Sequence, residues 1–351
     1  MPTSAPASAR LAKRHPYGLV LAGLSAGLVL TVLLAARSGH IELGLADVVR
    51  IIAAKLLGQG EWLDGLDPLL PVVVMDVRLP RIIASALVGG GLAAAGVVFQ
   101  GILLNPLADP YTLGVSAGAA FGASLALLFK LAIGGAWSVP LFAFVGAVAT
   151  LAAVIGLSRS AGTLSSSNLI LSGIIVAAIL SAGISLLKYI ADEQVAVIIF
   201  WLMGSFAAKT WSDVTVVLVL VTAGMLVFVF FARDLNLIAL GDRTAASLGV
   251  DTQKVTLVLL VAASLVTAGA VAISGIIGFV GLLVPHMLRA AVGPDNRRLL
   301  PAALVAGGLL LLAADTLTRT VLPVEVPIGV VTALIGGPFF CYIFRKRMAE
   351  T

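Results

Sequence analysis

The feature that most limits this chain is a series of uninterrupted apolar runs, each about 20 residues long, the length an α-helix needs to cross a ~30 Å hydrocarbon core. In hydrocarbon an unpaired backbone N–H or C=O costs several kcal/mol, so a crossing chain is either a helix bundle or a closed barrel. The runs do not alternate apolar and polar positions as barrel strands do, so the chain reads as an all-α integral membrane protein. Composition agrees: 60% of the 351 residues are apolar and 11% charged, which leaves lipid as the solvent for most of the surface. The 37 glycines suit close helix–helix contact, where small residues let backbones approach.

The first 16 residues form a polar, basic tail with Arg10, Lys13 and Arg14. The run Tyr17 to Ala36 exceeds a signal-peptide core and lacks a convincing cleavage site, so it reads as a retained span. Further spans are expected near 81–102, 111–130, 138–157, 168–190, 212–232, 255–274, 276–290, 299–318 and 326–344, ten in all. An even number returns both ends to one side, and Arg345, Lys346 and Arg347 make the far end basic too. The positive-inside rule then places both tails, 1–16 and 346–351, in the cytoplasm, flanking a membrane domain at 17–345. Arg159, Arg233, Arg243, Lys254, Arg289, Arg297 and Arg298 fall inside by the same threading. The outer segment 37–80 offsets its bases with Glu42, Asp47, Glu61, Asp64, Asp67 and Asp76. Residues 274–276 leave almost no loop, and the apolar piece Val195 to Phe206 is too short to span, so it reads as re-entrant or interfacial.

Chemistry-bearing residues are few. Cys341 stands alone and His15, His40 and His286 are far apart, so neither a disulfide nor a metal cluster is expected. None of the seven lysines follows Gly, so there is no phosphate-cradling G-x-x-x-x-G-K-[ST] loop. The net charge of +5 is explained by orientation in the membrane, and no nucleic-acid partner is expected. Arg78-Leu79-Pro80-Arg81 opens the second span, with Pro at a helix start. Its arginines read either as anchors snorkelling to head groups or as bidentate receivers of a partner's carboxylates. Between Gln100 and Tyr111 two prolines make a tight turn, a plain connection or a place where Asn105 and Asp109 line a closing pore. In the segment 233–254 Asp242 starts a short helix that Gly249 stops, a piece that lies on the bilayer or is gripped by a soluble partner.

At these residues the chain resembles the FecCD family, the ten-span permeases of type II ABC importers for vitamin B12, haem and ferric siderophores. The matching blocks are 78–81, Asn105 to Pro110, Gly114 to Gly118, Gly241 to Val250, Gly275 to Arg289 and Pro327 to Thr332. The resemblance implies a ten-transmembrane-helix bundle of that kind in a bacterial inner membrane, working as a homodimer around an axial path. Two ABC ATPase subunits would carry ATP and Mg2+, and a periplasmic binding protein would deliver the cargo; this chain would bind no cofactor or metal and catalyse nothing. Carried over by residue, Arg78, Arg81 and Arg319 would receive acidic residues of the binding protein. Asn105, Pro106, Leu107, Ser166 and Ser167 would form the cytoplasmic gate, Ser166 standing where the B12 permease has Thr. Gly241, Asp242, Arg243, Ala246, Leu248 and Gly249 would couple to the ATPase. The cargo expected is a ferric siderophore or haem, with a corrinoid as the alternative. An ion-coupled secondary transporter ranks lower, because such carriers place ionisable groups at mid-membrane, whereas Lys188 and Asp315 fall near span ends.

Overall fold

The structure is a computed structural model that describes residues 16–39, 43–133, 135–160, 164–320 and 325–350. Arg10, Lys13, Arg14, His15, His40 and Glu42 lie outside these. The described residues form α1 (Tyr17–Arg37), α2 (Leu45–Leu57), α3 (Leu69–Val72), a π-turn (Val73–Arg78), α4 (Leu79–Ile102), α5 (Val115–Leu128), α6 (Ser138–Ser160) and α7 (Ser166–Ile190). There follow α8 (Val195–Leu202), α9 (Trp211–Phe230), α10 (Ala232–Ile238), α11 (Asp242–Ser247), α12 (Thr252–Ser274), α13 (Val280–Val292), α14 (Asn296–Thr320) and α15 (Ile328–Glu350). All ten expected spans fall on apolar helices. By length and composition seven can cross a membrane unaided, while Val115–Leu128, Val280–Val292 and Ile328–Tyr342 are shorter.

Helix α4 is the axis of the bundle. Its residues from Val88 to Gln100 are all buried, enclosed by α14, α12, α13 and α9. Glycine makes this possible: a Cβ on Gly89 would strike the Gly307 carbonyl of α14, and one on Gly307 would strike the Gly89 carbonyl. Lower on α4, Gly96 lies against the Gly281 carbonyl of α13, and α5 meets α6 backbone to backbone at Gly118 and Gly146. Lipid tails are as apolar as leucine, so close van der Waals packing rather than water exclusion holds these helices together.

Two expectations need correction. The second span does not begin at Pro80: the helical run is continuous over 34 residues from Leu69 to Ile102, widening into the π-turn just before the proline. Pro80 has no N–H and its ring crowds the preceding turn, and a π-turn relieves that crowding. The Met75 carbonyl, left without the donor that residue 80 would have offered, accepts from Trp211 Nε1 at 2.9 Å. The expected span 276–290 is a 13-residue helix, α13, preceded by non-helical backbone at 275–279, which is why so little loop was legible there. Non-helical backbone at such depth persists only when enclosed by protein. Ile277 is buried, and its carbonyl and N–H meet the Tyr111 hydroxyl at 2.7 and 3.3 Å. Ser205 N donates to Ser274 O at 2.8 Å.

A smaller core sits at the end of the bundle where α1 finishes. There Val48 and Ile51 of α2 pack with Ala35, Ala36, Val74, Ile82 and Leu312. Gly96→Leu is expected to force α4 and α13 apart and to destabilise the protein by about 1–3 kcal/mol or more, seen as a lower melting temperature and loss of the monodisperse peak in detergent. Gly23→Leu on α1, where an added Cβ meets nothing within 4 Å, is the control and should leave both unchanged.

Candidate functional site

Sites of interest gather at the two ends of the bundle. At the end carrying the smaller core, the π-turn sends Arg78 toward α1, and Arg78 Nη1 donates to the Ala36 and Arg37 carbonyls at 2.6 and 2.9 Å. Arg319, near the end of α14, donates at 3.4 Å to Ala35 O and Ser38 O. Both cations therefore sit on the carbonyls left open by the end of α1, where the helix dipole is negative. Neither reaches out as a lipid anchor.

Arg81 lies between two acids. Its Nε and Nη2 grip Asp315 side-on at 3.0 and 2.9 Å, while Nη1 donates to Glu325 Oε1 at 3.0 Å. Asp315 is 1% exposed and Glu325 42% exposed. Arg319 Nε approaches Asp315 Oδ2 at 3.5 Å as an ion pair without a hydrogen bond. A buried carboxylate is tolerable only when paired, and Asp315 has Arg81 and its own i+4 neighbour Arg319. Sequence reasoning gave Asp315 no role; an acid four residues before an arginine inside an apolar run was the available signal. A cavity of about 170 Å³ opens on this cluster, lined by Arg78, Arg81, Arg319, Glu325 and Gly39. Lys209, also missed, donates to Ile273 O at 2.7 Å in the neighbouring loop. Burial lowers its pKa, and the nearby Arg81 adds to this against the opposing pull of Asp213.

The opposite end holds the turn after α4. Asn105 Oδ1 accepts from Leu107 N at 2.9 Å, and Asp109 Oδ1 from Tyr111 N at 2.8 Å, two Asx-turns in sequence. Leu107 is left exposed beside half-buried Asn105. Ser166 starts α7 and its hydroxyl donates to Ile102 O at 3.3 Å, so the structure brings the start of α7 to the end of α4. Ser165, which sequence reasoning passed over, is the N-cap of α7, accepting from Asn168 N at 3.2 Å. Ser167 is exposed next to it. Behind the turn, Pro110 packs on Gly281, and Gln100 accepts a short hydrogen bond from Arg289.

At the same end α11 stands out from the bundle between two backbone corners, Gly241 at φ +102° and Gly249 at φ +87°, conformations that favour glycine. Only Ala245 within the helix, and Val250 after it, turn inward. Asp242, Arg243, Ala246 and Leu248 are exposed. The preceding α10 is clamped to α14: Asn236 Nδ2 donates to Asp295 Oδ1 at 2.7 Å, and Asn296 N donates to Asn236 Oδ1 at 2.9 Å. Burial works against the charge on Asp295, yet the Asn236 and Arg297 N–H groups with the Arg297 and Arg298 charges hold its pKa below the usual carboxylate value.

Comparison with known proteins matches residues 27–346 to the family described as the FecCD transport family. The chain is 41% identical to the cobalamin import system permease protein BtuC of Halobacterium salinarum, over 81% of this chain and 76% of that one. It is 39% identical to the hemin transport system permease protein HmuU of Yersinia pestis, over 79% and 84%. A solved structure described as an inward-facing conformation of a putative metal-chelate type ABC transporter superposes with a TM-score of 0.82 at 34% identity, covering 94% of this chain and all of that one.

Burial pushes the Asp109 carboxyl up to about 6, against the stabilising Tyr111 N–H. Since the folded value exceeds the unfolded one, Asp109 favours the folded state at low pH, and that contribution is lost as pH rises through about 6. Asp109→Asn keeps the Oδ1 acceptor without the charge. The variant is expected to be more stable than the parent at pH 7.5 by about 2–3 kcal/mol, with the gap narrowing as pH falls through about 6 and closing below about 3.8 in thermal melts.

Proposed function

This chain belongs to the FecCD transport family; it is a multi-pass membrane permease of an ABC importer, a transport subunit and not an enzyme. From that premise we propose that two copies enclose the translocation path, each crossing a bacterial inner membrane ten times with both ends in the cytoplasm. A periplasmic binding protein docks at Arg78, Arg81 and Arg319. Two ATPase subunits, which hold ATP and Mg2+, grip the segment from Gly241 to Gly249. This chain holds no cofactor of its own.

The observation that carries this reading is α11. A short helix set out on two glycine corners, with Leu248 58% exposed, contributes little to its own fold and suits a groove in a soluble partner. ATP binding in that partner draws the two α11 segments together. The motion passes through the helices to Asn105, Pro106, Leu107, Ser166 and Ser167, which close the cytoplasmic end of the path. The contact of Ser166 with the end of α4 supports this assignment, because it lets α7 and α4 move as one edge. Only two arrangements of the bundle are required, each open to one side.

The cargo proposed is a metal chelate, a ferric siderophore or haem. The exposed residues along α7 are largely bland, among them Leu171, Ile174, Ile175 and Ile179, as a path for a bulky chelate requires. The cobalamin permease among the relatives keeps a corrinoid as the second reading. In liposomes containing this protein, its operon's ATPase and binding protein, haem or ferric siderophore uptake should require ATP. Equal uptake of an inorganic oxyanion would overturn the chelate reading, and uptake driven by a proton or sodium gradient without ATP would overturn the importer reading.

Leu248→Glu is expected to abolish copurification of the ATPase while leaving the melting temperature unchanged. Arg81→Gln combined with Asp315→Asn removes the docking cation together with the buried carboxylate it grips, so that carboxylate is not left without Arg81, while Arg319 keeps its hydrogen bonds to the Ala35 and Ser38 carbonyls. Docking of the binding protein should weaken about tenfold or more, with ATPase assembly intact.

A further inference from the structure

Most donors of the arginine cluster are already engaged by the chain's own groups, Arg319 Nε being an exception. Arg78 and Arg319 face the last carbonyls of α1. The inner edge of Arg81 is held by Asp315, which is 1% exposed and so fixed in place. One guanidinium edge remains whose partner is open to solvent: Arg81 Nη1, facing both carboxylate oxygens of Glu325 at 3.0 and 3.3 Å. Glu325 lies outside the helices, three residues before α15, and shares the wall of the cavity with all three arginines and Gly39.

We propose that Glu325 is a built-in stand-in for the partner's carboxylate: it occupies the outer edge of Arg81 in the undocked permease and is exchanged for an acidic side chain of the binding protein on docking. This rests on the docking reading above and adds to it that docking is a replacement. An incoming carboxylate does not meet a bare cation. It trades with Glu325 at nearly equal hydrogen-bond geometry, and the released Glu325 regains water.

Two consequences follow from the chemistry. With Glu325 in place, the two acids offset two of the three arginine charges, so the cluster attracts anions at a distance less than three bare arginines would. An acidic group must come close enough to fork onto Nη1 before it gains anything, which favours a rigidly presented carboxylate over a loose anion. Glu325 therefore acts as a specificity-determining residue for docking, setting how strong a partner must be to engage.

The test uses the full-length permease in lipid nanodiscs, titrated with the purified binding protein of its own operon. Glu325→Gln is exposed and should melt as the parent does. It should tighten docking about two- to fivefold, the scale of one exposed ion pair, with the gain shrinking as salt is raised from 50 to 500 mM. Glu325→Asp, which keeps the charge, should dock close to the parent. Unchanged or weaker docking by Glu325→Gln, while the Arg81→Gln, Asp315→Asn pair still loses docking, overturns the stand-in and leaves the docking site standing. Full docking by that pair removes the docking reading itself, and the stand-in with it.

Discussion

Hydrocarbon offers no partner for a backbone N–H or C=O, and each break described in the helices of this bundle falls where another part of the chain supplies one. Met75 O, freed by Pro80, finds the Trp211 indole. The non-helical stretch after α12 finds the Tyr111 hydroxyl and Ser205 N. The carbonyls that end α1 find Arg78 and Arg319. These partners come from distant segments, so the irregular places are also where the fold is cross-linked. The arginine cluster is one such place, which ties the chemistry of that end of the bundle to the integrity of the helix ends beneath it.

The second organising fact is the burial of α4. A helix enclosed on all sides in lipid gains nothing from water exclusion and depends on how closely its neighbours approach. Gly89 against Gly307 and Gly96 against Gly281 fix those approaches. Because α4 begins at the arginine pair and ends at the Asn105 turn, its neighbours position both candidate sites.

Much of this was legible in the sequence, and the reasons are specific. Apolar run length located most of the long helices to within a few residues, because length is what the bilayer dictates, but not α2 or the early start of the second run at Leu69. Asp242 and Gly249 marked the two ends of α11, Gly249 because positive φ favours glycine; the corner at Gly241 came with the structure. What escaped was tertiary. Nothing local says that Arg78 turns to the end of α1 and Arg81 to Asp315; that split arises in the π-turn, whose partner Trp211 lies 136 residues away. The start of α13 was misplaced by the same logic, since an apolar sequence enclosed by protein reads alike whether it is helical or extended. Asp315 looked like a span-end residue with no task, because its pairing with Arg81 crosses 234 residues.

Helix α14 starts in the Asn236 clamp, next to α10 and α11, and ends in the ion cluster with Asp315 and Arg319. At 25 residues and 1.5 Å per residue it is a strut of about 37 Å, with one end at the proposed motor contact and the other at the proposed docking contact. A strut clamped at both ends cannot report on one without loading the other. If α14 moves as one rigid body, a displacement of Asp315 by a docked partner would be carried to Asn236, and work done on α11 would be carried to the guanidiniums. Thermodynamic reciprocity then makes the two faces a single balance: the factor by which docking alters nucleotide affinity is the factor by which nucleotide alters docking.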